Sequence, residues 1–243
     1  MQTTRILSVA IAGVLVFAAC GGAQDTVTTT EATAAAVTTV PLSTVPSDYV
    51  GFLHQPTACG ADRPDPAKDM GFDAPDEVGL VGQIVLTLNT SCGPIEIQLD
   101  PVTAPETVNS FVFLAESGFF DGTVSHRVVP GFMMQAGDPT ATGFGGPGYT
   151  LPDEFPAEGI TYERGVVAMA NAGPGTTGSQ FFITLGDADW LSPQYTIVGR
   201  VISGLETLDR IAQVRLGRGA SSADPNPSTP LESIYIESVS IQR

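Results

Sequence analysis

Residues 120–138 read FDGTVSHRVVPGFMMQAGD, and residues 169–183 read MANAGPGTTGSQFFI. In and around these two stretches the runs Val128-Val129, Phe132 to Gln135, Gly165 to Ala170 and Phe181 to Leu185 are short and apolar. Glycine and proline cut them apart, as tight turns cut strands. Tyr195 to Val201 continues the series. Upstream, Gln83 to Thr90 alternates with β-branched residues, Ser91-Cys92-Gly93-Pro94 reads as a turn, and Ile95 to Leu99 alternates again, which makes a hairpin. Val108, Phe111, Val112 and Ala115 fall at i, i+3, i+4 and i+7 and predict one helix, ended by Gly118. A second helix is expected over Leu205 to Ala212, and Ser233 to Ile241 alternates as a closing strand. Many short strands, two helices and no βαβ rhythm predict a mainly β fold, a closed antiparallel barrel capped by helices.

Composition narrows the function. The 243 residues carry 26 acids against 10 bases, a net charge of −16. Nucleic acid is therefore a poor partner, because phosphate backbones are bound through Lys and Arg. The two histidines, His54 and His126, and three cysteines have no zinc-site spacing, and there is no GxxxxGK[ST] or GxGxxG loop. The sequence calls for no metal and no cofactor.

The first residues read as a targeting segment. Arg5 precedes an apolar run from Ile6 to Ala19, too short to span a bilayer comfortably. Phe17-Ala18-Ala19-Cys20 resembles the bacterial lipoprotein cleavage box, which implies a signal over 1–19, a lipid on Cys20 and a site outside the cytoplasm on the cell membrane. Residues 20–48 are rich in Thr, Ala, Val and Pro and read as a flexible tether. Residues 49–82 form a proline-rich extension ahead of a domain over 83–243. In an oxidising space the remaining cysteines, Cys59 and Cys92, are expected to pair and to pin that extension to the domain.

The two opening stretches resemble the cyclophilins, the peptidyl-prolyl cis-trans isomerases. Thr142-Gly143-Phe144-Gly145-Gly146 between them is similar to the family's glycine loop, and Asp189-Trp190-Leu191 and Tyr195 to Val201 follow in family order. The resemblance covers roughly 83–243 and implies an eight-stranded β-barrel with a helix at each open end. It departs at Ser125 (commonly Phe), at Ala136 (commonly Gly) and at Tyr195, where many members carry His and where ligand preference is expected to change. The loop near 221–230 lies outside it.

What the resemblance implies for the site is specific. Arg127 matches the catalytic arginine. Phe132, Met133, Phe182 and Leu191 match the proline pocket. Gln135 matches a side chain that bonds the substrate backbone and buttresses Arg127. Ala170 and Asn171 match a strand edge that pairs with an extended peptide, Gln180, Thr142 and Gly143 border the next subsite, and Trp190 and Tyr195 sit on the rim. His126 is expected to bind and pack rather than move protons. The implied activity is isomerisation of Xaa-Pro bonds in unfolded exported proteins, by a monomer open to cyclosporin-type inhibitors. The alternative is a proline-peptide binder or chaperone-like module that keeps the groove without turnover.

Overall fold

The computed structural model describes residues 45–219 and 223–243. The signal segment, Cys20 and the tether up to residue 44 lie outside the described residues. In chain order come helix α1 (Tyr49–Leu53), a 3-10 turn (Ala58–Gly60), strands β1 (Ile84–Thr90) and β2 (Gly93–Leu99), and helix α2 (Pro105–Glu116). Strands β3 (Val124–Ser125), β4 (Arg127–Val129), β5 (Met133–Ala136), β6 (Val166–Met169), β7 (Phe181–Thr184) and β8 (Ile197–Ser203) follow. Helix α3 (Leu205–Ile211) and strands β9 (Leu216–Gly217), β10 (Thr229–Pro230) and β11 (Ile234–Gln242) complete the chain.

Nine strand segments join in the order β3-β11-β1-β2-β8-β6-β7-β5-β4, and β9 pairs with β10 separately. The two outermost segments, β3 and β4, are consecutive, with only His126 between them. They are two halves of one bent strand, and that bend closes the sheet. Counted so, this is the eight-stranded antiparallel barrel, and closure removes the edge that an open sheet would expose. The hairpin turn is tighter than the sequence reading: Gly93 and Pro94 pair with Thr90 and Asn89, leaving Ser91-Cys92 as the turn. The Thr90 hydroxyl donates to the Gly93 carbonyl at 2.6 Å and accepts from the Cys92 N–H at 3.2 Å.

Alternation along the strands sorts side chains to two faces. Val128, Met134, Ala136, Val167, Met169, Phe181 and Ile183 point into the main core. There Phe181 meets Phe111 of α2 edge-on, ring centroids 5.2 Å apart. The alternate residues Met133, Val166, Ala168 and Phe182 form a second apolar cluster with Tyr162 and Ala188. Both faces are thus covered, which is why these segments read as continuous apolar runs. Because the barrel is filled by its own side chains, a ligand must bind on its outside.

Helix α2 buries its predicted stripe and more. Thr107, Asn109 and Ser110, off that stripe, are buried too. The Ser110 hydroxyl pairs with that of Tyr149 at 2.7 Å, and the extension explains Asn109. The Asn109 side chain donates to the Asp76 carbonyl at 3.0 Å and accepts from the Val78 N–H at 3.3 Å. Phe72 stacks edge-on against Phe113, with centroids 5.2 Å apart. At the helix start the Glu154 carboxylate accepts from the Glu106 and Thr107 N–H groups at 3.1 and 2.8 Å, an anionic cap on the positive end of the dipole.

The extension is sewn on at several points. Cys59 and Cys92 form a disulfide with Cα atoms 5.1 Å apart. The Ala58 N–H donates to the Ser233 carbonyl at 2.9 Å, and the Ser233 N–H to that of Pro56 at 2.8 Å. Residues 45–48, which the sequence reading leaves in the tether, are part of the fold. Pro46 is buried, and the Asp48 carboxylate caps α1 by accepting from the Gly51 N–H at 2.8 Å. Phe52 sits in a small apolar cluster with Val124, Ala141 and Tyr235. The Tyr49 N–H donates to the Thr140 carbonyl at 2.8 Å. The extension therefore reaches the loop that carries Thr142 and Gly143.

Candidate active site

The bend at His126 puts Arg127 at the first position of β4. In register, Arg127 lies opposite Gln135 of β5, and Gln135 opposite Phe182 of β7. A cation, an amide and an aromatic ring thus form one row across three neighbouring strands on the barrel's outer face. Val129 and Met133 make the next row.

Arg127 is half-buried, its side chain 36% exposed. Its Nε and Nη2 donate to the two carboxylate oxygens of Asp224 at 2.8 and 2.6 Å, and its Nη1 donates to Gln135 Oε1 at 3.0 Å. Gln135 Nε2 donates to Gln180 Oε1 at 2.9 Å, and Gln180 Nε2 to the Gly145 carbonyl at 2.9 Å. One chain of polar contacts therefore runs from Asp224 through Arg127, Gln135 and Gln180 to the glycine loop.

That loop is organised by Asp138, which is fully buried. Its carboxylate accepts from the Thr140 N–H and hydroxyl, both at 2.7 Å, and from the Gly143 and Gly145 N–H groups at 2.7 and 3.1 Å. Burial pushes the Asp138 carboxyl up, but the bonds from Thr140 and Gly145 and the field of His126 outweigh it and hold it below the usual range. Gly145 must lack a side chain, because a Cβ would collide with Asp138 Oδ1. Thr142 turns its hydroxyl to Thr140, 2.8 Å away, and accepts from the Phe144 N–H at 3.2 Å. The loop tip presents Phe144, 90% exposed.

The apolar seat lies beyond Gln135. Phe132 and Phe182 have centroids 6.3 Å apart, Met133 is buried beside Phe182, and Leu191 packs on the same cluster. Trp190 lies against Phe132 at 4.7 Å yet is 69% exposed, so it forms a rim rather than core. Tyr195 meets Phe182 edge-on at 5.6 Å. Tyr162, which sequence reasoning missed, holds it there. The Tyr162 hydroxyl donates to the Tyr195 carbonyl at 2.8 Å and accepts from the Tyr195 N–H at 3.1 Å.

Ala170 and Asn171 lie just past the end of β6, which is an interior strand between β7 and β8. The Ala170 N–H is already given to the Gln180 carbonyl at 2.8 Å, and the Asn171 side chain donates to the Gln194 carbonyl at 2.8 Å. Both line a groove of about 730 Å³ that Gln135, Phe144, Tyr149 and Gln180 also border. A second cavity of about 540 Å³ borders Arg127 and is walled by Pro46, Phe52, His126, Thr142 and Asp224.

His126 is 9% exposed and its Nδ1 has no hydrogen-bond partner. Burial, against the pull of Asp138 and aided by Arg127, lowers its pKa to about 4. A neutral imidazole at pH 7 suits packing, as the sequence reading expects. His54, the other histidine, is the C-cap residue of α1 in the extension.

Asp224 is the other residue that sequence reasoning missed. It sits in a Pro-rich loop outside the quoted motifs, and nothing in the local sequence points to Arg127, 97 positions away.

Comparison with known proteins agrees with this geometry. The family model "Cyclophilin type peptidyl-prolyl cis-trans isomerase/CLD" matches residues 85–241. Peptidyl-prolyl cis-trans isomerase B of Streptomyces anulatus is 45% identical over 178 residues, which is 66% of this chain and 97% of the relative. Peptidyl-prolyl cis-trans isomerase A of Mycobacterium tuberculosis is 44% identical over 170 residues, 64% of this chain and 90% of the relative. A crystal structure of a Cryptosporidium parvum cyclophilin type peptidyl-prolyl cis-trans isomerase, determined in the presence of the dipeptide Ala-Pro, superposes with a TM-score of 0.58 at 32% identity. It covers 65% of this chain and 99% of that one. With barrel, row of site residues and relatives in agreement, the chain belongs to the cyclophilin-type peptidyl-prolyl cis-trans isomerase family.

Proposed function

We propose that this isomerase turns Xaa-Pro bonds in exported or surface proteins, held outside the cytoplasmic membrane by a lipid on Cys20 and acting as a monomer. Three observations support the placement. The run Ile6 to Ala19 ends at Cys20, residues up to 44 are Thr-rich and of low charge, and the Cys59–Cys92 disulfide is a bond that persists in oxidising compartments.

The chemistry needs no nucleophile, metal or cofactor, because rotation about the prolyl amide breaks no σ bond. It must lower a barrier of about 20 kcal/mol. Turnover in milliseconds instead of minutes requires a factor of about 10⁵, roughly 7 kcal/mol. In this reading Phe132, Met133, Phe182 and Leu191 seat the proline ring, with Trp190 and Tyr195 at the rim. Ala170 and Asn171 align the peptide, and Thr142, Gly143 and Gln180 border the residues before proline. Arg127 donates to the prolyl region as the amide loses planarity, favouring a pyramidal nitrogen over the resonance form. It is a fixed donor, and such preorganised electrostatics carry the largest share of many rate enhancements.

The observation that carries the reading is the register row of Arg127, Gln135 and Phe182. It sets a permanent cation beside an apolar seat with one amide between them. A coupled assay of cis-trans conversion on a short proline peptide, with the full chain, is the test. Catalysed conversion is expected. A folded chain that binds the peptide without accelerating conversion supports the alternative, a chaperone-like binding module.

A further inference from the structure

We infer that Asp224 is a positioning residue for the isomerisation, fixing the Arg127 guanidinium by its Nε–Nη2 edge so that the remaining donors face the groove. The inference rests on the role given above to Arg127. A guanidinium has five N–H donors in one plane. Asp224 takes two on one edge at 2.8 and 2.6 Å, and Gln135 takes one from Nη1 at 3.0 Å. Acceptors on two edges fix both the position and the plane of the group, and two donors are left over. An arginine side chain has several soft torsions and, when partly exposed, sweeps through many rotamers. A bidentate carboxylate removes that freedom in advance, whereas a point contact leaves it.

Asp224 is itself held. Its side chain is 15% exposed. Arg218 Nη1 donates to the Asp224 carbonyl at 2.9 Å, and Arg218 Nη2 to the Pro225 carbonyl at 2.6 Å. Past the loop tip, the Ser228 carbonyl accepts from the N–H of Val128 at 2.8 Å. The loop is therefore tied to β4 one residue from Arg127, and carboxylate and guanidinium are referenced to the same strand. Asp224 also stays off the Gln135 side of the guanidinium, where the row continues to Phe182. A latch that withheld the cation would cover that side instead.

The test uses the full chain with Asp224→Ala and the nearly isosteric Asp224→Asn, which preserves the loop's shape. Asp224→Ala should lower kcat/KM about tenfold, mostly through kcat, because displacing a catalytic donor costs rate more than binding. Asp224→Asn should fall between the two. The Arg127 Nε–H signal in nitrogen NMR should be protected from exchange in the wild type and lost in Asp224→Ala. In an Arg127→Ala background, adding Asp224→Ala should cost nothing further. Full or increased turnover in both Asp224 variants overturns the inference, and so does an equal loss in the Arg127→Ala background. An inactive Arg127→Ala beside a fully active Asp224→Ala leaves the role of Arg127 standing and removes that of Asp224. A fully active Arg127→Ala removes both.

Discussion

The ring centroid of Trp190 lies 4.7 Å from that of Phe132, at an interplanar angle of 55°, while 69% of the tryptophan faces solvent. It is the chain's single Trp, so intrinsic emission reports the edge of the apolar seat alone. A cyclosporin-type ligand should change that emission saturably and inhibit turnover over the same concentration range. Trp190→Ala should weaken the ligand more than it slows a short peptide, because Arg127, Phe132 and Phe182 remain. Inhibition with flat emission would show that the ligand does not reach this rim.

Arg127→Ala should lower kcat/KM by about two to three orders of magnitude, the loss of one preorganised donor, roughly 3–4 kcal/mol. The fold should survive. The ion pair to Asp224 ties one loop to β4 and belongs to neither large apolar cluster, so its loss leaves the packed core intact. Steady-state kinetics beside a thermal melt separates the two effects, and near-wild-type turnover in a folded variant contradicts the mechanism.

His126 should make the fold sensitive to acid. Its pKa is lowered by burial from 6.5 to about 4, so between those values the unfolded chain binds a proton that the folded chain refuses. Stability therefore falls as pH drops from about 6.5 toward 4, by on the order of 3 kcal/mol in full. Below that window a second loss begins, as Asp138 and Asp100, both held below the ordinary carboxylate range, take up protons. Unfolding midpoints across pH should show the upper slope in the wild type and its loss in His126→Gln. An unchanged slope in that variant would place the titrating group elsewhere.

Cys59 and Cys92 close a loop of 33 residues, which contributes about 3–4 kcal/mol in the chain-entropy view. The Cys59→Ser and Cys92→Ser double variant should unfold at lower denaturant. Protease cuts should then appear first in residues 61–82, which have no regular element of their own. The backbone bonds of Ala58 and Ser233 should keep residues 45–58 attached. Equal stability of the two proteins would mean that the noncovalent contacts of the extension hold it without the disulfide.

A labelled lipid precursor should mark the chain in a host that processes lipoproteins, and Cys20→Ser should abolish the label. Label that persists in Cys20→Ser would refute the anchoring.

The barrel was legible in the sequence because its information is local. The 2-residue alternation in Ile84 to Leu99, the helical spacing from Val108 to Ala115 and the glycine and proline breaks each depend on near neighbours. The motif around Arg127 was legible for the same reason: its row partners Gln135 and Phe182 lie in stretches whose order alone identifies them. Tertiary structure decided the rest. The closing of the sheet at His126 depends on β3 and β4 finding opposite edges, which no periodicity states. The buried Asn109 and Ser110 read as the polar side of a helix until the extension meets Asn109 and Tyr149 meets Ser110. Tyr162 behind Tyr195, and Asp224 behind Arg127, act across 33 and 97 positions. Such contacts leave no mark on their own neighbourhoods, because a carboxylate in a solvated loop and one gripping a guanidinium are written with the same residue. Only the folded chain, by bringing the loop at 223–228 against β4, tells them apart.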